Sequence, residues 1–504
     1  MRSLFSLLAA ASAAHPPLLD PSLLAAAIAA HPPLLDPLRA TNSTPYTLLA
    51  TDPASASTLW RVSSNYTWAL GAPLLLDLRG SRAQQGAAYA RLVGGAAREN
   101  INALFNKLVP NATQQSLLLS FLDWQWTFLA PHVPAEFLAE VGGLAAASPP
   151  LWAATRRLLA LAVGPADGDN WRVVIDDERG SGAPCPFSAA QLAECVAILS
   201  HLGGVATPRC DMFAAWGPRT RGGNLFASRN LDWVVDSGVS TAKLITVYHP
   251  PEGGRAPYAT FGFAGFLGAI AGVSARGVTV TQSNLDNSRV TMRAAAWPFR
   301  LRFILEVAAT VADVRAIYAA GAPLAATAGS ANHVVACQAD AAAGGRAAAV
   351  VAETVATKNA LVADNDPREA NATYQGRVVG FPLPHAVFRS NHALDAGIMP
   401  TQVPLWDDTV ARYLMARAFL LDAEGAGVLV DAGLAVRMAA TMGQKGADYY
   451  ACISGAGGEN VLSVVYAPGE AGEPAWVAWE DGTGAAWTPA ACTAYQRVDL
   501  AAWW

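Results

Sequence analysis

The stretch that most constrains this chain is 210–233, CDMFAAWGPRTRGGNLFASRNLDW. Two short apolar runs flank a basic turn that ends in the paired glycines Gly222 and Gly223, which is the pattern of a β-hairpin. A hairpin brings its outer ends together, so Cys210 is expected beside Arg229 and Asp232. A thiol next to a cation and a carboxylate has the elements of an activated nucleophile. A plainer reading stands beside it, in which Cys210 is a small buried hydrophobe and Arg229 and Asp232 form a structural ion pair.

The 504 residues leave room for one large domain or two. A net charge of −5 and the lack of a basic stripe interleaved with aromatics argue against nucleic-acid binding. Beyond the N-terminus no window approaches the ~18 continuous apolar residues that a membrane helix needs. Residues 1–14, MRSLFSLLAAASAA, have the layout of a secretory signal with a small-residue cleavage site. Four N-x-[ST] sequons, at Asn42, Asn65, Asn111 and Asn371, agree with that route, so the expected location is secreted or a lysosomal or endomembrane lumen. The six cysteines show no C-x-x-C spacing, and no metal or cofactor is expected. Cys185 and Cys195 are the pair nearest in sequence, but the disulfide pattern stays open, and a catalytic Cys210 has to remain free.

Residues 15–72 read as a Pro- and Ala-rich leader, poorly ordered to about Asp52, and the octapeptide AHPPLLDP stands at 14–21 and again at 30–37. From residue 73 to residue 209 the chain is mainly helical. A strand over 74–78 leads through Gly80-Ser81 into a long helix over 82–108. Further helices follow over 116–128, over 134–146 (with Glu136 and Glu140 on its polar side), over 152–163 and over 191–202. Residues 170–185, with Asp176, Asp177 and Glu178 in a row, read as a solvated loop, with metal binding as the minor alternative. After Cys210 strands dominate, over 243–248, 277–282, 332–337, 347–354, 385–392, 461–466 and 475–479. Helices lie over 297–318, 409–421 and within 428–442. Two sheets flanked by helices fit this order.

Several residues end apolar strands where chemistry can be placed. Asn284 and Asn391 are candidate oxyanion donors, although Asn is also an ordinary turn residue. His392 is a candidate base for a Cys–His dyad. There is no G-x-S-x-G, H-E-x-x-H or Walker A motif.

Taken together and in order, the motifs resemble the N-terminal-nucleophile (Ntn) cysteine hydrolases of the choloylglycine hydrolase and acid ceramidase group, most of all the acyl-CoA:6-aminopenicillanate acyltransferase-like branch. RNLDW after the cysteine is the most specific element. LDLRGSRAQQG at 76–86, GVSARGV at 272–278 followed by Asn284, Ser390-Asn391-His392, and Asp408-Thr409-Val410-Ala411-Arg412 extend the likeness over roughly 70–504. Asp211 replaces the common Thr or Ser, and Ser274 the common Asn.

The resemblance implies an α+β fold, the four-layer αββα Ntn-hydrolase sandwich, with a helical N-terminal part. It implies self-cleavage at Arg209–Cys210, which divides the chain into 73–209 and a catalytic part 210–504 that remain associated. Cys210 is then the nucleophile and its freed amine the base. Arg229 favours the thiolate, Asp232 holds the amine, Asn391 and the Asn284 backbone N–H face the oxyanion, and Arg412 supports the site. The expected substrate is a small amphiphilic molecule with a linear non-peptide amide, an N-acyl amine or N-acyl amino acid, opened through a thioester. Three alternatives remain at this level. One is an acyltransferase drawing on a thioester donor. Another is a catalytically silent glycoprotein binding module. The third is a papain-like enzyme with His392 beside Cys210 and an uncut chain.

Overall fold

The computed structural model describes residues 46–64, 66–165, 168–206, 209–344, 347–402, 407–443 and 459–504. The signal-like segment, the octapeptide pair, Asn42, Asn65, Cys452 and the side chains of Arg209 and Asp408 lie outside the described residues. Helices and strands are mixed along the chain. Among the described residues no helix is long and apolar enough to cross a membrane.

The strands of the two large sheets are β1 (Tyr46–Asp52), β2 (Ser57–Val62), β3 (Leu74–Leu78), β4 (Arg209–Gly217), β5 (Gly223–Asp232), β6 (Lys243–Tyr248), β7 (Tyr258–Phe263), β8 (Ala271–Ser274) and β9 (Val278–Asn284). They continue with β10 (Ala331–Cys337), β11 (Ala349–Val355), β12 (Lys358–Val362), β13 (Ala386–Arg389), β14 (Asn460–Tyr466), β15 (Pro474–Trp479) and β16 (Gln496–Asp499). Ten of them form one sheet in the order β1-β2-β3-β6-β7-β8-β9-β10-β11-β12. Only its β3–β6 pair is parallel. The other six form an antiparallel sheet, β13-β4-β5-β14-β15-β16. The leader range thus contains two strands: β1 and β2 extend the large sheet, where an irregular segment was expected to about Asp52.

The two sheets meet through β4 and β5 against β9 and β10, and through β13 against β10 and β11. Both members of the central hairpin are buried on both faces, so their near-continuous apolar character is what the position demands.

The helices are α1 (Arg82–Leu108), α2 (Ala112–Leu129), α3 (Ala135–Ala147), α4 (Pro149–Val163), α5 (Gly168–Gly180), α6 (Ala189–Ala206), α7 (Trp297–Val307), α8 (Val311–Tyr318), α9 (Gln338–Ala343), α10 (Asp407–Gly425) and α11 (Ala432–Gly443). Helix α1 starts at a capping box, in which Ser81 takes the Gln84 N–H and Gln84 reaches back to Ser81. It packs on α3 at a distance that only glycine allows. A Cβ on Gly86 would lie 1.8 Å from the Glu140 carbonyl, and one on Gly143 would lie 1.9 Å from the Ala83 carbonyl. Glu140 is therefore not on a solvated face, as i,i+4 spacing with Glu136 suggested. It is buried and takes both Nη groups of Arg302, at 3.0 and 2.7 Å. Arg82, Glu306, Arg255 and Glu136 continue this line of ion pairs between the N-terminal helices and α7.

The acidic triplet is also different from the loop expected. Trp171, Val174, Ile175 and Glu178 bury one face of α5 at i, i+3, i+4 and i+7 spacing, which the neighbouring Asp176 and Asp177 obscure in the sequence. Gln125 Nε2 donates to Glu178 Oε2 at 2.8 Å, and burial pushes the Glu178 carboxyl up to about 8. The folded chain then holds a proton that the unfolded chain releases above its ordinary value of 4.5. Stability should fall as pH rises from about 4.5 to about 8, because the folded state binds more protons in that window. Glu178→Gln should flatten that part of the profile in urea titrations across the window, and an unchanged slope would refute the assignment.

Cys185 and Cys195, the pair nearest in sequence, are not joined to each other. Cys185, Cys195 and Cys337 are free thiols, Cys210 forms no disulfide, and Cys492 is disulfide-bonded.

Candidate active site

The hairpin is built as its sequence suggests. In the β4–β5 register Cys210 faces Leu231, Met212 faces Arg229 and Arg209 faces Asp232. Cys210 and Arg229 are diagonal neighbours on one face, within reach of a long side chain. Arg229 Nη2 lies 3.6 Å from Cys210 Sγ. Its guanidinium is held from behind by Gln282, whose carbonyl takes Nε at 3.0 Å and whose Oε1 lies 3.4 Å from Nη2. Cys210 and Arg229 are both completely buried.

Strand β13 pairs with β4 on its other side, and the turn after β13 brings in Asn391. Its Oδ1 accepts the Cys210 backbone N–H at 2.6 Å, and its Nδ2 donates to the Asn284 carbonyl at 2.8 Å. In this state the amide grips the Cys210 nitrogen, where the sequence reading had it facing an oxyanion. Its second Nδ2 hydrogen is not used by that bond. Arg412, in the first turns of α10, donates to the Cys210 carbonyl and, at 3.2 Å, to Asn391 Oδ1. Thr409 Oγ1 takes the Asn391 N–H at 3.0 Å, tying the turn to the same helix. Cys210, Arg229, Asn284, Asn391 and Arg412 are thus gathered at one place.

Asp232 sits one register position from Cys210, opposite Arg209. Asn460 Nδ2 donates to its Oδ1 at 2.8 Å. Asp211, the residue that departs from the usual Thr or Ser, is buried and takes Asn230 Nδ2 at 2.7 Å.

His392 turns elsewhere. Its Nδ1 lies 3.1 Å from Ser390 Oγ and 3.0 Å from Thr409 Oγ1. Burial, then the charges of Arg389 and Arg412, push the imidazole down to about 3, so it is neutral at ordinary pH. It faces hydroxyls rather than the thiol, which disfavours the Cys–His alternative.

Gln282 and Asn460 were not singled out in the sequence. Gln282 had a usable signal, since it lies two residues before Asn284 and so on the same strand face. Asn460 had none, because only the pairing of β14 with β5 brings it to Asp232.

Beside this cluster opens a largely apolar cleft. Arg229, Gln282 and Asn284 give it a polar end. Its walls are apolar and come from both parts of the chain, including Ile101 and Leu104 of α1, Leu158 of α4, Leu199 and Leu202 of α6, and Trp297 of α7. Of the sequons, Asn111 and Asn371 are exposed, as a glycan acceptor needs to be. Asn111 also caps α2 through its Oδ1, leaving Nδ2 clear of that bond.

No family model matches the chain. Protein dcd1B of Dictyostelium discoideum is 31% identical over 98 residues, which are 19% of this chain and 20% of the length of that protein. A Caenorhabditis elegans N-acylethanolamine-hydrolyzing acid amidase ortholog aligns in structure with a TM-score of 0.33 and 15% identity, over 52% of this chain and 94% of its own. A mutant conjugated bile acid hydrolase from Clostridium perfringens aligns with a TM-score of 0.35 and 12% identity, over 58% of this chain and 93% of its own.

Proposed function

We propose that this chain is a cysteine amidohydrolase of the Ntn type, activated by self-cleavage at Arg209–Cys210 and acting on a linear non-peptide amide with an apolar acyl group. The observation that carries the reading is the placement of one residue. Cys210 has its thiol 3.6 Å from Arg229 Nη2 and its backbone nitrogen 2.6 Å from Asn391 Oδ1, and Arg229 lines the polar end of an apolar cavity.

In the first step the thiol adds to the Arg209 carbonyl and the Cys210 nitrogen leaves as an amine, taking up the thiol proton. Water then splits the resulting thioester. The new amine, with a reference pKa of about 8, can take a proton at neutral pH. Asn391, which already takes the Cys210 N–H, would keep it there, with Asp232 as the second group in that role. In turnover the thiolate attacks the substrate carbonyl, the amine component departs with a proton, and water releases the acid from the thioester. Arg229 stabilises the anionic sulfur before attack.

The contacts of the two sheets, with α7 and α8 on the large one and α10 and α11 on the small one, support the αββα reading of the fold. The ion pairs between α1, α3 and α7 support lasting association of the two parts after cleavage. We infer a secretory or lysosomal setting from the signal-like composition of residues 1–14 and the sequons.

The apolar walls suit a long acyl chain and the polar end its carbonyl. With hexadecanoyl, octanoyl and butanoyl amides of aminomethylcoumarin, kcat/KM should rise with chain length. At about 0.8 kcal/mol per buried methylene, burial of only about four of the added methylenes gives a gain from butanoyl to hexadecanoyl of at least about 100-fold. Release of the coumarin that ignores chain length, or none at all, would count against the reading.

A further inference from the structure

Arg389, Glu353 and Glu369 lie in the core just behind the candidate site and take no part in the chemistry above. All three are buried. Arg389 Nε donates to Glu353 at 3.0 Å, and its two Nη groups grip Glu369 at 3.1 and 2.7 Å. Burying three charges carries a large desolvation penalty, and an apolar cluster would fill the same volume without it. Charged groups add directional hydrogen bonds, so the useful question is where those bonds end.

They end on the two segments that hold Cys210. Glu353 takes the Leu394 N–H with both oxygens at 3.0 Å and the Asp395 N–H at 2.8 Å. Asn332, its register partner across the β10–β11 pair, donates to the carbonyls of Ser390 at 3.1 Å and His392 at 3.0 Å. The backbone is thus gripped on both sides of Asn391. Glu369 also takes the Tyr413 hydroxyl at 2.6 Å, and Tyr413 follows Arg412 directly on α10.

We propose that Glu353, Arg389 and Glu369 act as one buried positioning unit that sets Asn391 and Arg412 jointly against Cys210. One guanidinium ties the turn carrying Asn391 to the helix carrying Arg412, so neither can shift alone. These are positioning residues, since none of them touches Cys210. The role assigned to Asn391 and Arg412 rests on the proposed function, whereas their placement can be measured without it.

Glu353→Gln keeps the volume but sets an –NH2 group against either the backbone N–H donors or Arg389 Nε, so one of the two ties that hold the turn is lost. Crystal structures of Glu353→Gln and of its parent, both in a Cys210→Ala background, test placement directly. The expected result is Asn391 Oδ1 beyond about 3.5 Å from the residue-210 nitrogen, outside hydrogen-bond range. An unmoved Asn391 overturns the proposal whatever the activity. Arg389→Lys, which keeps the charge but loses the fork, serves if the first variant does not fold.

In chains with Cys210 intact, kcat on the hexadecanoyl coumarin amide should fall at least about tenfold with KM within about twofold, as expected when a group is displaced from reacting atoms. Arg302→Lys weakens a comparable buried ion pair on the other side of the fold and should lower stability with kcat unchanged. If Glu353→Gln loses only stability, as that control does, the unit is merely structural and the proposal fails. A displaced Asn391 in a chain whose parent releases no coumarin would sink the proposed function and leave the positioning unit standing.

Discussion

Cys210→Ala should yield a single uncut chain with no amide turnover, where the parent gives two fragments on a denaturing gel. N-terminal sequencing of the second fragment should begin at Cys210. Loss of a nucleophile that works as a unit with its base typically costs about 10⁶-fold in kcat, so residual activity should sit near background. The substitution removes only Sγ. Fully buried Cys210 packs in a β-hairpin covered on both faces, so the fold should survive with a modest cavity cost. An intact, fully active parent would reject self-cleavage. Retained activity in the alanine variant would reject the nucleophile itself.

Glu140→Ala is expected to be the most damaging single change to stability. It strands Arg302, which is wholly buried, bonded to Tyr258 Oη at 2.8 Å and the Leu267 carbonyl at 2.9 Å, and stacked 4.1 Å from the Tyr248 ring centroid. Removing one partner of a buried pair leaves an uncompensated charge and costs about 3–5 kcal/mol. Urea denaturation should resolve this easily. Arg497→Ala, which breaks a half-exposed pair with Asp499, should cost under about 1 kcal/mol. Glu140 and Arg302 lie on opposite sides of the proposed scission, so the cut form of Glu140→Ala should also come apart into its two fragments in size-exclusion chromatography. Equal losses for the two variants would show that the buried line of charges contributes no more than a surface pair.

Periodic segments were legible. The strand at Leu74–Leu78, the helix at Arg82–Leu108 and the strand at Lys243–Tyr248 have the bounds their apolar pattern indicates. The helix expected over 297–318 is instead two, broken where Thr310 caps α8 with Asp313, a T-x-x-D signal present in the sequence and passed over. Helix α5 was lost to its acidic face. Strands β1 and β2 were lost because the Pro-rich segment before them set the expectation for the residues that follow.

The candidate site divides in the same way. Cys210 beside Arg229 follows from one hairpin, because a turn and a period of two are enough to set cross-strand neighbours. The sequence by itself determined that pairing and marked Asn284 and Asn391 as strand-end candidates, and motif likeness added Arg412. Only the tertiary structure decided that Asn391, 181 residues away, holds the Cys210 nitrogen, and that Arg412, 202 residues away, holds its carbonyl. It alone brought Gln282 behind Arg229, Asn460 to Asp232, and the α1, α4 and α6 side chains over the cavity. Local periodicity records which face of a strand or helix is apolar. Which faces meet is settled by the packing of the whole core, in which every strand order and buried charge has to be satisfied at once.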